Sequence, residues 1–494
     1  MISAAAGRGT RLAWRVPPMP DSRPTDPHQK ALAVNLDPRR YGTFAEIGAG
    51  QEVVRWFFRA GGAAGTIAKS ISAYDMTVSD AIYGRADRYV CRERLERMLD
   101  YEHQLNLERL RERRGNTTAF FVFADTVKAR GFSGSSDCHG WLGMRFQSHP
   151  RDADSQIIIH VNLLDREKEA QQEALGIVGV NLVYGACFLH HEPEMLIESL
   201  LDGLSTERIE IDMVELSGIE FRHVDNRVMS LKLVQLGLTG AAMFSADGAV
   251  LQPSEVLRKR PVLVERGSFK PVTHVNLDMM TSALEKFSRE PGVGDGQVVP
   301  LMEITMRNLI SSNGGSGTVD VHDFLARAEV IAACGYTVLI SDYFEYYRLA
   351  AYLARHTDRQ LGVVMGAGSL RELFDEHFYQ NLEGGILESF GRLFKNDLKL
   401  FVYPLLDPSG EITTVRTLHV ASGLRKLFEY LSDRGNIEQL DNFNRDYLHI
   451  FSRDILERIR KADASWEAMV PAVVAEVIKR NAYFDYQPSL AESA

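Results

Sequence analysis

Cysteine is scarce. The 494 residues hold four, Cys91, Cys138, Cys187 and Cys334, all far apart. No two share a C-x-x-C spacing, which excludes the common zinc motifs and a disulfide framework. Such usage fits a reducing, cytoplasmic setting. Long hydrophobic runs are missing as well. No apolar stretch nears the roughly 20 residues of a membrane-spanning helix, so no membrane partner is expected. An excess of positive charge is absent: 56 Lys and Arg stand against 66 Asp and Glu, a formal net charge of -10. That balance speaks against a nucleic-acid partner. No G-x-G-x-x-G follows a predicted strand, which sets aside a dehydrogenase-type dinucleotide site. Internal repeats and low-complexity segments are absent too.

What is present is the composition of a globular protein, 45% hydrophobic and 25% charged. The length exceeds one simple core and implies two or three domains. The fold class read from the patterns is α/β. A mainly parallel Rossmann-like sheet occupies the second half, a further α/β region precedes it, and a helical C-terminal region follows. The expected boundaries are a disordered extension over 1–30, an N-terminal α/β domain over 31–254, a Rossmann-like domain over 255–420 and a helical region over 421–494. The extension rests on Arg8, Arg11, Arg15 and five prolines without an apolar period.

In the first half, Gly61–Ser70 has the look of a phosphate loop but no glycine precedes Lys69. A helix packed through small residues is expected, with Thr66, Lys69 and Ser70 as an alternative anion cradle. Thr118–Thr126 and Gln156–Leu164 read as buried strands, and Arg130–Gly143 as a polar loop holding Cys138 and His139. His190, His191 and Glu192 invite a metal, yet adjacent side chains point apart. Glu210, Asp212 and Glu215 lie on one strand, either as an exposed face or as magnesium ligands.

The second half alternates strands with helices. Strands are expected at Val262–Val264, Val298–Thr305, Tyr336–Ser341, Leu361–Met365 and Leu398–Leu405. Ser311–Gly317 reads as a loop by composition. Gly267, Thr305, Ser341 with Asp342, and Gly366 end four successive strands. In a parallel wound sheet they face one crevice.

Between the first strand and its helix stands Gly267-Ser268-Phe269-Lys270-Pro271-Val272-Thr273, a glycine turn that aims backbone N–H groups and a helix N-terminus at one point. Over about 261–287 this stretch resembles the first motif of the nucleotidylyltransferase superfamily, G-S-F-x-P-x-T-x-x-H, as found in nicotinate and nicotinamide mononucleotide adenylyltransferases. The chain is also similar to a family of long bacterial proteins carrying that label. Asn276 stands where the motif has its histidine, and His274 stands two places early. The resemblance implies a nucleotide partner, with Mg2+ entering with ATP. It implies Lys270, Thr273 and Asn276 as catalytic residues. Gly267, Ser268, Phe269, His274, Ser341, Asp342 and Gly366 are implied as nucleotide-binding. The activity implied is transfer of AMP from ATP to a mononucleotide, as in NAD biosynthesis. The alternative is a non-catalytic nucleotide-binding sensor or assembly protein, and a homo-oligomer is compatible with either.

Overall fold

The computed structural model describes residues 23–131, 137–293, 297–311, 318–395, 397–407 and 409–487. The chain builds two main sheets. The first holds β1 (Arg40–Gly48), β2 (Ile67–Ser72), β3 (Ala119–Lys128), β4 (His139–Phe146), β5 (Ser155–Leu163) and β6 (Ile209–Gly218) in the order β2-β1-β3-β4-β5-β6. The β1 strand is parallel to β2 and β3, and β3 to β6 form an antiparallel meander. Phe121 and Phe123 of β3 enter one apolar cluster, while Val122 and Ala124 enter another on the opposite face. Burial on both faces is why this strand reads as an unbroken apolar run rather than an alternation.

The second sheet holds β7 (Ala241–Phe244), β8 (Val250–Leu251), β9 (Val262–Arg266), β10 (Val299–Thr305), β11 (Thr337–Ser341), β12 (Leu361–Gly366) and β13 (Lys399–Tyr403), followed by a two-residue hairpin, β14 (Leu405–Leu406) and β15 (Ile412–Thr413), which stands apart. With β16 (Ile437–Gln439) the order is β16-β13-β12-β9-β10-β11-β7-β8. All neighbours from β16 to β11 are parallel. The chain runs β9, β10, β11 outward and then crosses back to place β12 on the other flank of β9. The strand order therefore reverses beside β9, where open α/β sheets form their ligand crevice. Leu263 points into one core cluster, Val262 and Val264 into the other.

This is the expected mixed α/β architecture, with differences in its boundaries. Helix Pro27–Asn35 begins inside the stretch expected to be disordered, and Lys30 is fully buried against Asn181, Ser199 and Asp202. Asp26 caps this helix, a local signal that the proline-rich composition masked. Residues Ala241–Leu251 join the second sheet because β7 pairs antiparallel with β11, so the division between halves precedes Ala241. The Gly61–Ser70 stretch is a short turn followed by β2, not a helix; Thr66 Oγ1 donates to the Asn35 carbonyl and Lys69 pairs with Glu102. His139–Phe146, expected partly as loop, is a full strand between β3 and β5. The expected loop over Ser311–Gly317 falls, from residue 312, outside the described residues, as do 132–136. The helical C-terminal region contributes β16 to the sheet edge. Its helices Arg425–Asp433 and Ser452–Arg460 pack on opposite faces. Among the described residues no helix is long and apolar enough to cross a membrane.

Candidate functional site

The glycine turn leaves β9 at the sheet edge where the strand order reverses. Gly267 N donates to the Glu303 carbonyl, and the Ser268 carbonyl accepts from Arg327. Phe269 adopts φ 44° and sinks its ring into the core. A Cβ on Gly267 would meet that ring at 3.0 Å, which explains the glycine. Lys270 Nζ lies 2.7 Å from Asp323 Oδ1, and Asp323 also pairs with Arg327. Thr273 caps helix His274–Phe287: its hydroxyl accepts from Asn276 N, and Asn276 Oδ1 accepts from Thr273 N at 3.0 Å. The remaining Asn276 donor goes to Glu265 Oε1 at 2.8 Å. Glu265 is buried, and that burial raises its pKa to about 8. His274 stacks on Tyr447, with ring centroids 5.1 Å apart.

A cavity of about 450 Å³ opens above this edge. Gly267 and Ser268 line it, together with Thr305 from the end of β10, residues 344–346 beyond β11 and Ser369 beyond β12. Ser341 lies beneath, fully buried, donating to Glu303 Oε1 at 2.5 Å. Asp342 is exposed, and Gly366 starts helix Ala367–Leu373; neither is among the residues that line the cavity. The structure thus brings Gly267 and Ser268 to the cavity wall, while the polar groups of Lys270, Thr273 and Asn276 are engaged in pairs and caps beside it.

Sequence reasoning missed four residues here. Arg266 forks onto Glu303 at 2.7 and 2.9 Å, donates to the carbonyls of Tyr343 and Phe344, and lies 4.4 Å over the Tyr346 ring. It ties the ends of β9, β10 and β11 into one rigid rim. Arg307 is exposed, stacks 4.1 Å over Phe344 and forms no ion pair among the described residues. Phe344 and Phe378 both stay 39% exposed at the cavity, their centroids 6.1 Å apart. An arginine closing a strand, and another two places after Thr305, were the available signals.

The metal readings of the first half find no cage. Among the described residues no group of three or more His, Cys, Asp and Glu side chains is arranged to hold an ion. Glu215 pairs with Arg92, and Asp212 is buried against His160.

No protein-family model matches the chain, and no curated protein matches it. Solved structures are similar to part of the chain at low TM-scores. The competence/damage inducible protein CihA from Agrobacterium tumefaciens is 14% identical, with 37% of this chain covering 99% of that one and a TM-score of 0.23. A competence-damaged protein (CinA) superfamily protein from Enterobacter cloacae is 8% identical, covering 35% of this chain and 99% of its own, with a TM-score of 0.25. Plasmodium falciparum nicotinic acid mononucleotide adenylyltransferase is 9% identical over 46% of this chain and 98% of its own, also at 0.25. Each likeness is partial.

Proposed function

We propose that the second half of this chain is a nucleotide-binding module. Its ligand lies in the crevice above β9, β10, β11 and β12. The carrying observation is a convergence: a glycine turn, an arginine without an ion pair among the described residues and two exposed phenylalanines line one cavity at the carboxyl ends of parallel strands. The Ser268 N–H and the Arg307 guanidinium receive phosphate where Gly267 leaves room for it, and Phe344 and Phe378 offer faces to the base. The rim fixed by Arg266 and Glu303 keeps these groups in place without the ligand, which lowers the ordering cost of binding.

A second reading, adenylyl transfer to a mononucleotide, draws on the resemblance of the turn. Transfer needs cationic or hydrogen-bonding groups free to follow charge as it moves onto pyrophosphate. Lys270 is neutralised by Asp323, and Asn276 is committed to Thr273 and Glu265. These engagements favour binding over turnover. Magnesium, on this reading, arrives with the triphosphate rather than in a protein cage.

Calorimetry with MgATP on the native protein, Gly267→Val and Arg307→Ala tests the binding. Saturable binding is expected in the native protein, lost in Gly267→Val and weakened in Arg307→Ala. Equal affinity in all three proteins overturns it. Pyrophosphate release with ATP and nicotinate mononucleotide separates the readings: none is expected.

A further inference from the structure

A larger cavity than that beside Gly267 lies elsewhere. A cleft of about 780 Å³ separates the first sheet from residues of the second half. Its floor carries a chain of hydrogen bonds. Asp212 Oδ1 meets His160 Nδ1 at 2.6 Å, and His160 Nε2 meets His139 Nδ1 at 3.0 Å. Asn162 and Gln252 donate to the other oxygen of Asp212, at 3.0 and 3.1 Å. Burial opposes the Asp212 charge, but His160 and its hydrogen bonds outweigh that, and the pKa falls below 3.8. Asp212 is therefore an acceptor throughout the neutral range.

In the state with both rings uncharged, the Asp212 carboxylate fixes their tautomers. His160 donates from Nδ1 to the carboxylate, so its Nε2 accepts. His139 then donates from Nδ1, and its own Nε2 carries a lone pair. His139 is partly exposed and lines the cleft. Burial, then the neighbouring His160, lowers its pKa to about 4, so it remains neutral. Across the cleft, His356 Nδ1 shares a 2.8 Å hydrogen bond with Ser254, while its buried Nε2 has no hydrogen-bond partner among the described residues.

The charges around these histidines are unbalanced. Arg88, Lys168 and Arg258 line the cleft, are exposed, and form no ion pair among the described residues. Of the two acids on the wall, Asp137 already pairs with Lys128, which leaves Glu255. Three cations without an ion pair among the described residues, around a polar floor, match a dianion better than one carboxylate. A volume of this size accepts a ligand as large as a mononucleotide.

We propose that this cleft is a second ligand site, taking a phosphorylated small molecule whose hydroxyl or amide donates to His139 Nε2 while Arg88, Lys168 and Arg258 hold its phosphate. His139 is kept in its accepting tautomer by His160 and Asp212. The site is independent of the crevice beside Gly267, since the two share no lining residue.

Trp141, in edge contact with His160 at 4.8 Å, supplies a reporter. The full-length protein is titrated with ribose 5-phosphate while Trp141 fluorescence and the imidazole 15N shifts are followed. A saturable response is expected, with the His139 Nε2 resonance moving as its lone pair is engaged. Affinity should fall by about tenfold or more in Lys168→Glu combined with Arg258→Glu, both exposed positions. His139→Phe should weaken it comparably, and Gly267→Val should leave it unchanged. No saturable response, or one indifferent to the charge reversals, overturns the proposal. A response abolished by Gly267→Val instead assigns the ligand to the other crevice and equally overturns it.

Discussion

Asn276 Nδ2 donates to Glu265 Oε1 at 2.8 Å, joining the first turn of helix His274–Phe287 to the strand before it. The residue that replaces the motif histidine is thus turned inward. It neutralises the demand of a buried acid instead of facing the crevice. The partner oxygen, Glu265 Oε2, has no hydrogen-bond partner within the described protein. A protonated carboxyl is the form this environment favours.

Glu265 makes stability depend on pH. Its folded pKa of about 8 stands above the ordinary glutamate value of 4.5. The folded state therefore keeps a proton that the unfolded chain releases. The contribution is fully present below 4.5 and is lost as pH rises toward about 8. Glu46, buried and likewise raised to about 8, acts in the same direction. Urea unfolding at both ends of this window should show a loss on the order of a few kcal/mol. Glu265→Gln should flatten the slope without abolishing it, because Glu46 remains. An unaltered slope in Glu265→Gln would contradict the protonated carboxyl.

Asn276→His restores the motif residue, and no transfer activity is expected from it. The substitution removes one half of the capping box and the hydrogen bond to Glu265, at a cost of about 0.5–2 kcal/mol. Thermal melting should register that loss. Pyrophosphate release should stay at background, because Lys270 remains paired with Asp323. Turnover in this variant would show that the crevice lacks only the imidazole.

Lys270 and Arg307 are both cations near the crevice, and their removal should read out differently. Lys270→Ala leaves Asp323 with one fewer partner, so stability falls by about 1–3 kcal/mol while MgATP affinity stays nearly constant. Arg307→Ala breaks no ion pair among the described residues; it should leave the melting temperature alone and weaken MgATP by about 1–3 kcal/mol. Paired calorimetry and melting curves decide. The reverse assignment of the two effects would return Lys270 to the binding site.

Lys30 anchors the N-terminal helix. It has no exposed surface and donates to Asn181 at 2.8 Å, to the Ser199 carbonyl at 3.2 Å and to Asp202 at 2.6 Å. Lys30→Ala should destabilise the protein by about 3–5 kcal/mol, the scale for stranding buried partners. Chemical denaturation measures it, and a change below about 1 kcal/mol would mean the helix is dispensable.

The amino-acid sequence by itself determined the period of the elements. Short, mostly apolar runs between helical segments, as at Val262–Val264 and Val298–Thr305, specify parallel strands buried on both faces, and the second sheet follows from them. It also determined the tight turn at Gly267, where a side chain would strike Phe269. Tertiary structure alone decided which polar groups remain available. Lys270, Thr273 and Asn276 look free in a linear motif, but their partners, Asp323 and Glu265 among them, are set by packing across the sheet. Arg266 and Arg307 are marked in the sequence only by their places at the ends of two strands; their roles come from the reversal of strand order beside β9. The same holds for Asp212, His160 and His139. They lie on three strands whose antiparallel register, fixed by side-chain burial over the whole first sheet, stacks them into one relay. Local propensity sets where a strand runs, but register is a collective result of burial, and only register brings distant side chains to one cleft.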